Sequence, residues 1–471
     1  MTYDALSLAS PIPETGSLDS DDSVAQRSHT DRRAERWVTA ARLSGVLDGS
    51  TRDFLNTPAR TAEERADAFW QWNRKRIEHG TFAYGKALAT APKAQTSLRY
   101  LDGRVMSGLN FSSQDYLSLA SHPQVHAAAI EAIQRLGVHS AGSTALAGNV
   151  VDGNVLEHEL ASWLQTPHVA LFPTGWAAGY GVPVALIRSE DLVLMDALSH
   201  NCIQEGARSC GGEVKKFRHN DLGHLEELLK AARAAQAERG IFVMIESLYS
   251  MDSDSPDLGA MLDLCERYEA ISILYVAHDF GSMGATGRGL LDTIPGRQPD
   301  VVLGSFSKTF GANGGFAAAK AGVVNYLRYY SPTNLFSNAI SPMQTYVAMK
   351  AFEIAFSAEG DALRRALMER VLRLRGAMEA RNLYVHGDPS PICPVFVGGE
   401  PLARLTSKHV FHLGMAANLV EFPAVARGKA RFRFQVMANH KLEDMDRAAE
   451  IMAQAKALGE AELAEIMGEK G

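Results

Sequence analysis

The segment GSFSKTFGANGGF, residues 304–316, sets a single lysine, Lys308, among small residues directly after the apolar run DVVL. A lysine in that setting can form a Schiff base with an aldehyde cofactor, while Ser305 and Ser307 offer hydroxyls to a phosphate. The same letters contain Ser305-x-x-Lys308, the spacing of serine acyltransferases related to penicillin-binding proteins. Those enzymes also need S-D-N and K-T-G strings, and neither occurs in this chain. A surface loop with an incidental lysine is the plain alternative, so other segments must decide.

Four more segments share the same plan, an apolar run followed at once by polar or small residues. In LFPTGWAAGYG the chain passes through Thr174 and Gly175 into a small-residue helix whose free N–H groups and partial positive charge suit a phosphate. Gly175 permits close approach, and Trp176 is placed to pack beside a ring. His200 follows DLVLMD, Glu246 and Ser250 follow IFVMI, and His278 follows ISILYV within YVAHDFGSMGATGRG. Taken singly, each reads more readily as a βα turn, a polar turn or a packed histidine.

The elements that must position these residues are legible in the same runs. HVALF, DLVLMD, IFVMIE, ISILYV, DVVLGS and GFAAA alternate with longer helical stretches, which predicts βαβ units and a largely parallel sheet with functional groups at its strand ends. Beyond residue 345 the pattern turns to long amphipathic helices and the short strands PICPVFVG and ARFRFQVMA, as in a second, α+β domain. The expected organisation is an α/β fold with a large domain over 110–345 and a small one over 346–471. Ahead of them, residues 1–30 read as a disordered tail rich in Ser, Asp, Thr and Pro, and 31–109 as a helical N-terminal extension and lead-in segment.

Together, in order and spacing, the five segments resemble the α-oxoamine synthase family of fold-type I pyridoxal 5'-phosphate (PLP) enzymes. The resemblance runs over about residues 105–455, from NFSSQDYLSLA to ARFRFQVMANH. It implies that Lys308 bonds the cofactor, that His200 stacks on its ring and that His278 lies near its phenolic oxygen. It further implies that Glu246 and Ser250 form a polar pair near the cofactor, with Thr174, Gly175, Trp176 and Ser305 on the phosphate side. Ser337 and Asn338, in NLFSNAISP, match a segment that reaches the partner subunit's phosphate, so a homodimer with shared active sites is implied.

Three positions depart from the family pattern. An aspartate that keeps the pyridine nitrogen protonated is replaced by Tyr275, whose phenol, with an ordinary pKa of about 10, is neutral and supplies no anion. Asp279 is a possible substitute, although strand geometry points it away from the ring. On the substrate side the usual asparagine is Gln114, and the arginine that holds the substrate carboxylate aligns with Glu421, which leaves Arg433 or Arg431 for that task.

The implied reaction is decarboxylative condensation of an amino acid with an acyl thioester, carried on coenzyme A or on an acyl-carrier protein, to give an α-amino ketone. The unusual substrate positions and the extension lean toward specialised metabolism. Another PLP reaction, such as transamination or aldol cleavage, is the first alternative, and a catalytically impaired partner subunit is the second. Composition narrows the remaining classes. The formal charge of −7 without a dense basic block argues against nucleic-acid binding, and four scattered cysteines argue against a zinc site or disulfide framework. An acidic, proline-bearing start and the lack of a run of about 18 apolar residues point to a cytoplasmic protein without a transmembrane segment.

Overall fold

In the computed structural model, which describes residues 45–55 and 61–468, the apolar runs named above become strands. The tail expected over 1–30 lies outside the described residues. First come β1 (Ala87–Leu88), β2 (Gln95–Arg99) and β3 (Val105–Phe111). The large sheet is built from β4 (His168–Phe172), β5 (Leu192–Asp196), β6 (Glu213–Phe217), β7 (Ile241–Glu246), β8 (Ile271–Tyr275), β9 (Val301–Ser305) and β10 (Gly315–Ala319). After it follow β11 (Ile392–Gly398), β12 (Met415–Val420) and β13 (Ala430–Gln435).

The large sheet has the order β4-β10-β9-β8-β7-β5-β6. Strands β9, β8, β7, β5 and β6 pair in parallel, and β10 alone runs against its neighbours β4 and β9. Every residue of β5, β7 and β9 is buried, as expected of parallel strands covered on both faces. The period-2 alternation of a strand divides them between two apolar layers: Leu192 and Leu194 enter one, Val193 and Met195 the other. This double cover holds the carboxyl ends of the strands rigidly at one edge.

The second sheet, β1-β2-β3-β12-β13-β11, departs from the domain layout expected from sequence order. The segment 31–109 is helical only in part among its described residues. Helix Ala62–Glu78, capped by Thr61 Oγ1 accepting from Glu64 N at 3.1 Å, gives way to three strands. β3 pairs in parallel with β12, Leu109 opposite Met415, so the C-terminal sheet is completed by residues that precede the large one. No local pattern announces a pairing across some three hundred residues, because its driving force is burial shared by the two ends of the chain. Helices Pro342–Ala355 and Ala358–Glu379 carry the amphipathic stretches read after residue 345. Among the described residues no helix is long and apolar enough to cross a membrane.

Candidate active site

The chemistry-bearing segments all begin at one edge of the large sheet. Thr174 lies two residues past β4 and His200 four past β5, while Glu246, Tyr275 and Ser305 are the last residues of β7, β8 and β9. The carboxyl edge of a parallel sheet gathers loop residues in this way whatever their sequence separation.

At the β4 end, Thr174 caps the helix Gly175–Leu186, its Oγ1 accepting from Ala177 N at 3.0 Å. That cap leaves the N–H groups of Gly175 and Trp176 without partners inside the helix. A Cβ on residue 175 would stand 2.3 Å from Ser305 Cβ, so glycine is what lets the helix start and the end of β9 meet. Ser305 Oγ, 2.8 Å from Ser307 Oγ, is thereby brought to the free amides. Trp176 joins this end by its backbone only: its exposed indole stacks on Tyr180 with ring centroids 5.2 Å apart.

Past β5, His200 caps helix Asn201–Ser209 and accepts from Cys202 N at 3.2 Å through Nδ1, which also lies 3.0 Å from Cys202 Sγ. The His200 backbone N–H donates to buried Glu246 Oε1. Burial, with Lys308 and Arg433 adding like charge, pushes His200 down to about 4, so the imidazole is neutral. His278 is 4% exposed and is held well below the ordinary histidine range by the same three influences. Its Nδ1 lies 2.8 Å from Tyr116 Oη. Burial raises the Glu246 carboxyl to about 8 against the opposing pull of the His200 N–H and Lys308.

Lys308 is the shared neighbour of this group. Desolvation lowers its amine to about 8, with Cys202 and Glu246 as minor opposing influences. At neutral pH about a tenth of it is therefore the neutral nucleophile, against roughly one part in a few thousand for an ordinary lysine. The rate at which PLP adds to cofactor-stripped protein, followed by absorbance, should accordingly climb with pH and level off above about 8. A climb that continues to pH 10 would show an ordinary amine and contradict the enclosed site.

Arg433, buried at 9% exposure, donates from Nη1 to Ser250 Oγ at 3.3 Å. With the Gln435 carboxamide oxygen turned toward it, Nε and Nη2 donate at 2.7 and 3.1 Å, and the Gln435 amide then reaches Tyr116 Oη. Arg431 is committed elsewhere, to Asp252 Oδ1 at 2.7 Å and Met251 O at 3.1 Å, which leaves Arg433 as the arginine of the site. Tyr275 is 3% exposed at the floor, opposite Glu246 in the β7–β8 pairing, with its ring 6.1 Å from that of His200. Asp279 does turn away, accepting from Ser247 Oγ and from Leu290 N at 2.7 Å.

Glu421 stands apart, paired with Arg76 and Arg404. Ser337 and Asn338 join none of these contacts; Asn338 bridges to Ser143 on an exposed face. Gln114 is partly buried just ahead of Asp115 and Tyr116. Sequence reasoning passed over Tyr116, Cys202 and Gln435. Tyr116 lies inside the quoted NFSSQDYLSLA segment, and Cys202 falls on the first turn of the helix that His200 caps, which were the available signals.

Comparison with known proteins adds a common theme. The profile of the family Aminotransferase class I and II matches residues 107–452. An 8-amino-7-oxononanoate synthase from Thermoanaerobacter pseudethanolicus is 33% identical over 350 residues, spanning 74% of this chain and 87% of that protein. One from Salmonella arizonae is 32% identical over 359 residues, spanning 76% and 92%. Among solved structures, a serine palmitoyltransferase from S. paucimobilis with bound PLP–myriocin aldimine superposes with a TM-score of 0.79 at 23% identity, covering 85% of this chain and all of the other.

Proposed function

The chain belongs to the aminotransferase class I and II family and, within it, to the α-oxoamine synthases; on that premise we propose that it is a PLP-dependent acyltransferase joining an amino acid to an acyl thioester with loss of carbon dioxide. The residues present fit the cofactor. The close meeting of Gly175 with Ser305 sets a hydroxyl beside two free helix amides for the phosphate, and the partly buried amine of Lys308 is available to the aldehyde. Thr174, Gly175, Trp176 and Ser305 would hold the phosphate, His200 the ring face, and His278, Glu246 and Ser250 the remaining polar edge. When bound, PLP supplies a sink for the electron pair left on the substrate α-carbon.

The protein's own groups do the rest. Arg433 pairs with the substrate carboxylate and orients the α-carbon. Lys308, freed once the amino acid takes its place, has a basicity that burial lowers toward neutrality, which suits it to remove the α-proton and return it. His278, neutral because it is buried, donates a hydrogen bond to the acyl oxygen. The α-carbon bonds the acyl carbon, the carbon–sulfur bond breaks and the thiol leaves. The carboxylate departs as carbon dioxide, a proton takes its place and the α-amino ketone is released.

The observation that carries this reading is the convergence of Lys308, His200, His278 and Arg433 at one enclosed edge, where both histidines feel both cations. Val138, Leu146, Val151 and Phe336 are each exposed, in segments that the Ser143–Asn338 bridge draws together, and such apolar side chains suit a surface for a second copy of the chain. That surface supports a homodimer in which Ser337 and Asn338 serve the neighbouring site. Four free cysteines suit a reducing, cytoplasmic setting.

The test is incubation of the PLP-loaded protein with an amino-acid panel in heavy water, with α-proton exchange followed by NMR, then addition of acyl donors and mass analysis of products. Exchange with at least one amino acid, abolished by Lys308→Ala, and an amino ketone lacking the α-carboxylate are expected. Retention of that carboxylate would overturn the proposal in favour of another PLP reaction. Activity that needs a second protein would favour the partner-subunit reading, which buried Tyr275 motivates.

A further inference from the structure

Four side chains of the site form one continuous line of hydrogen bonds, and its first member fixes the direction of the rest. Arg433 carries only donors, so the atom of the Gln435 carboxamide turned toward it is the oxygen, 2.7 Å from Nε and 3.1 Å from Nη2. The Gln435 amide is thereby aimed at Tyr116 Oη, 3.3 Å away. A phenol oxygen that accepts from one side gives its own proton to the other, where His278 Nδ1 lies at 2.8 Å. His278 Nδ1 is therefore an acceptor. Because the imidazole is buried and neutral, its one proton sits on Nε2, which makes no hydrogen bond among the described residues.

The line joins parts of the chain that only the fold brings together. Gln435 ends β13, Tyr116 lies in the loop after β3 and His278 follows β8. Gln435 and Tyr116 are both at 0% exposure, so each must be satisfied by its neighbour in the line.

We infer that Gln435 and Tyr116 are positioning residues that set the tautomer of His278, so that its Nε2–H is the donor presented to the acyl oxygen during condensation. The tautomer follows from the hydrogen-bond geometry, whereas its use on the acyl oxygen rests on the function proposed above. The same line ties that donor to Arg433, which holds the group that pairs with the substrate carboxylate and the group that polarises the acyl donor in one register.

The test is NMR of the PLP-loaded full chain with isotopically labelled histidine ring nitrogens, His278 being assigned as the signal lost in His278→Gln. A protonated Nε2 and a bare Nδ1 are expected. Gln435→Glu reverses the line, because a carboxylate accepts both from Arg433 and from the Tyr116 hydroxyl, whose oxygen then accepts from His278; the proton should move to Nδ1. Tyr116→Phe keeps the ring, removes the middle member and should leave the two tautomers mixed. In both variants, with the cofactor's visible absorption retained, condensation with an acyl donor should fall about 10²-fold further than α-proton exchange, the scale on which one donor at a developing oxyanion acts. A proton on Nδ1 in the unaltered protein, or the same tautomer in Gln435→Glu, overturns the inference. Equal losses of exchange and condensation overturn the role at the acyl oxygen. If no acyl donor condenses at all, the proposed reaction falls and the tautomer readout still decides the positioning role.

Discussion

Replacing Tyr275 by aspartate is expected to accelerate α-proton exchange by about 10²–10³, the scale on which one charge-stabilising group at a reacting centre acts. With PLP bound at Lys308, the ring nitrogen, opposite the aldehyde carbon, would meet groups at the end of β8 and on the first turn of the helix that His200 caps. Those groups are Tyr275 and Cys202, both buried and both neutral: burial raises the phenol well above its ordinary range and the thiol to about 12. The nearest carboxyl, Glu246, is pushed up to about 8 and already accepts from the His200 N–H. Among the described residues, no committed anion therefore stands where one would keep the ring nitrogen protonated and strengthen the electron sink.

Tyr275→Phe separates charge from shape. It preserves the ring volume and removes only the hydroxyl, so exchange close to the unaltered protein is expected. The heavy-water NMR experiment serves for all three proteins, with the cofactor's visible absorption as a second readout. Unchanged or slower exchange in Tyr275→Asp, with cofactor still bound, would show that Tyr275 does not face the ring nitrogen. A large loss in Tyr275→Phe would show that the hydroxyl itself acts.

The parts of this site that could be read from sequence are those fixed by local pattern. Lys308, His200, Glu246 and Tyr275 each follow or end an apolar run, and a parallel sheet carries such positions to one edge without further information. What could not be read depends on partners far along the chain. β3 waits for β12. Tyr116 finds His278 at a separation of 162 residues, and Arg433 is framed by Ser250, from the turn that follows a strand of the other sheet.

Glu421 is the sharpest instance, because alignment placed it where a substrate-binding arginine is usual and the fold gives it a structural task. Its Oε1 accepts from Arg76 Nη2 at 3.2 Å and its Oε2 from Arg404 Nε at 2.8 Å, with both arginines at 0% exposure. Arg404 continues to the carbonyls of Leu47, Asp48 and Gly49, and Arg76 lies 4.4 Å from the Trp72 ring, so this one carboxylate ties the N-terminal extension to the C-terminal sheet. The family profile begins at residue 107, so the tether joins residues ahead of the family match to residues within it. Glu421→Ala leaves two buried guanidiniums facing each other without a counter-charge and should cost about 3–5 kcal/mol. The loss should appear as a lower denaturant midpoint and as faster proteolytic cutting between residues 45 and 88. Glu421→Gln keeps a hydrogen-bond acceptor and should cost less, whereas Glu421→Arg sets a third cation against the pair and should cost the most. A change below about 1 kcal/mol for Glu421→Ala, the range of surface ion pairs, would mean that the extension is held by its aromatic contacts and not by this carboxylate.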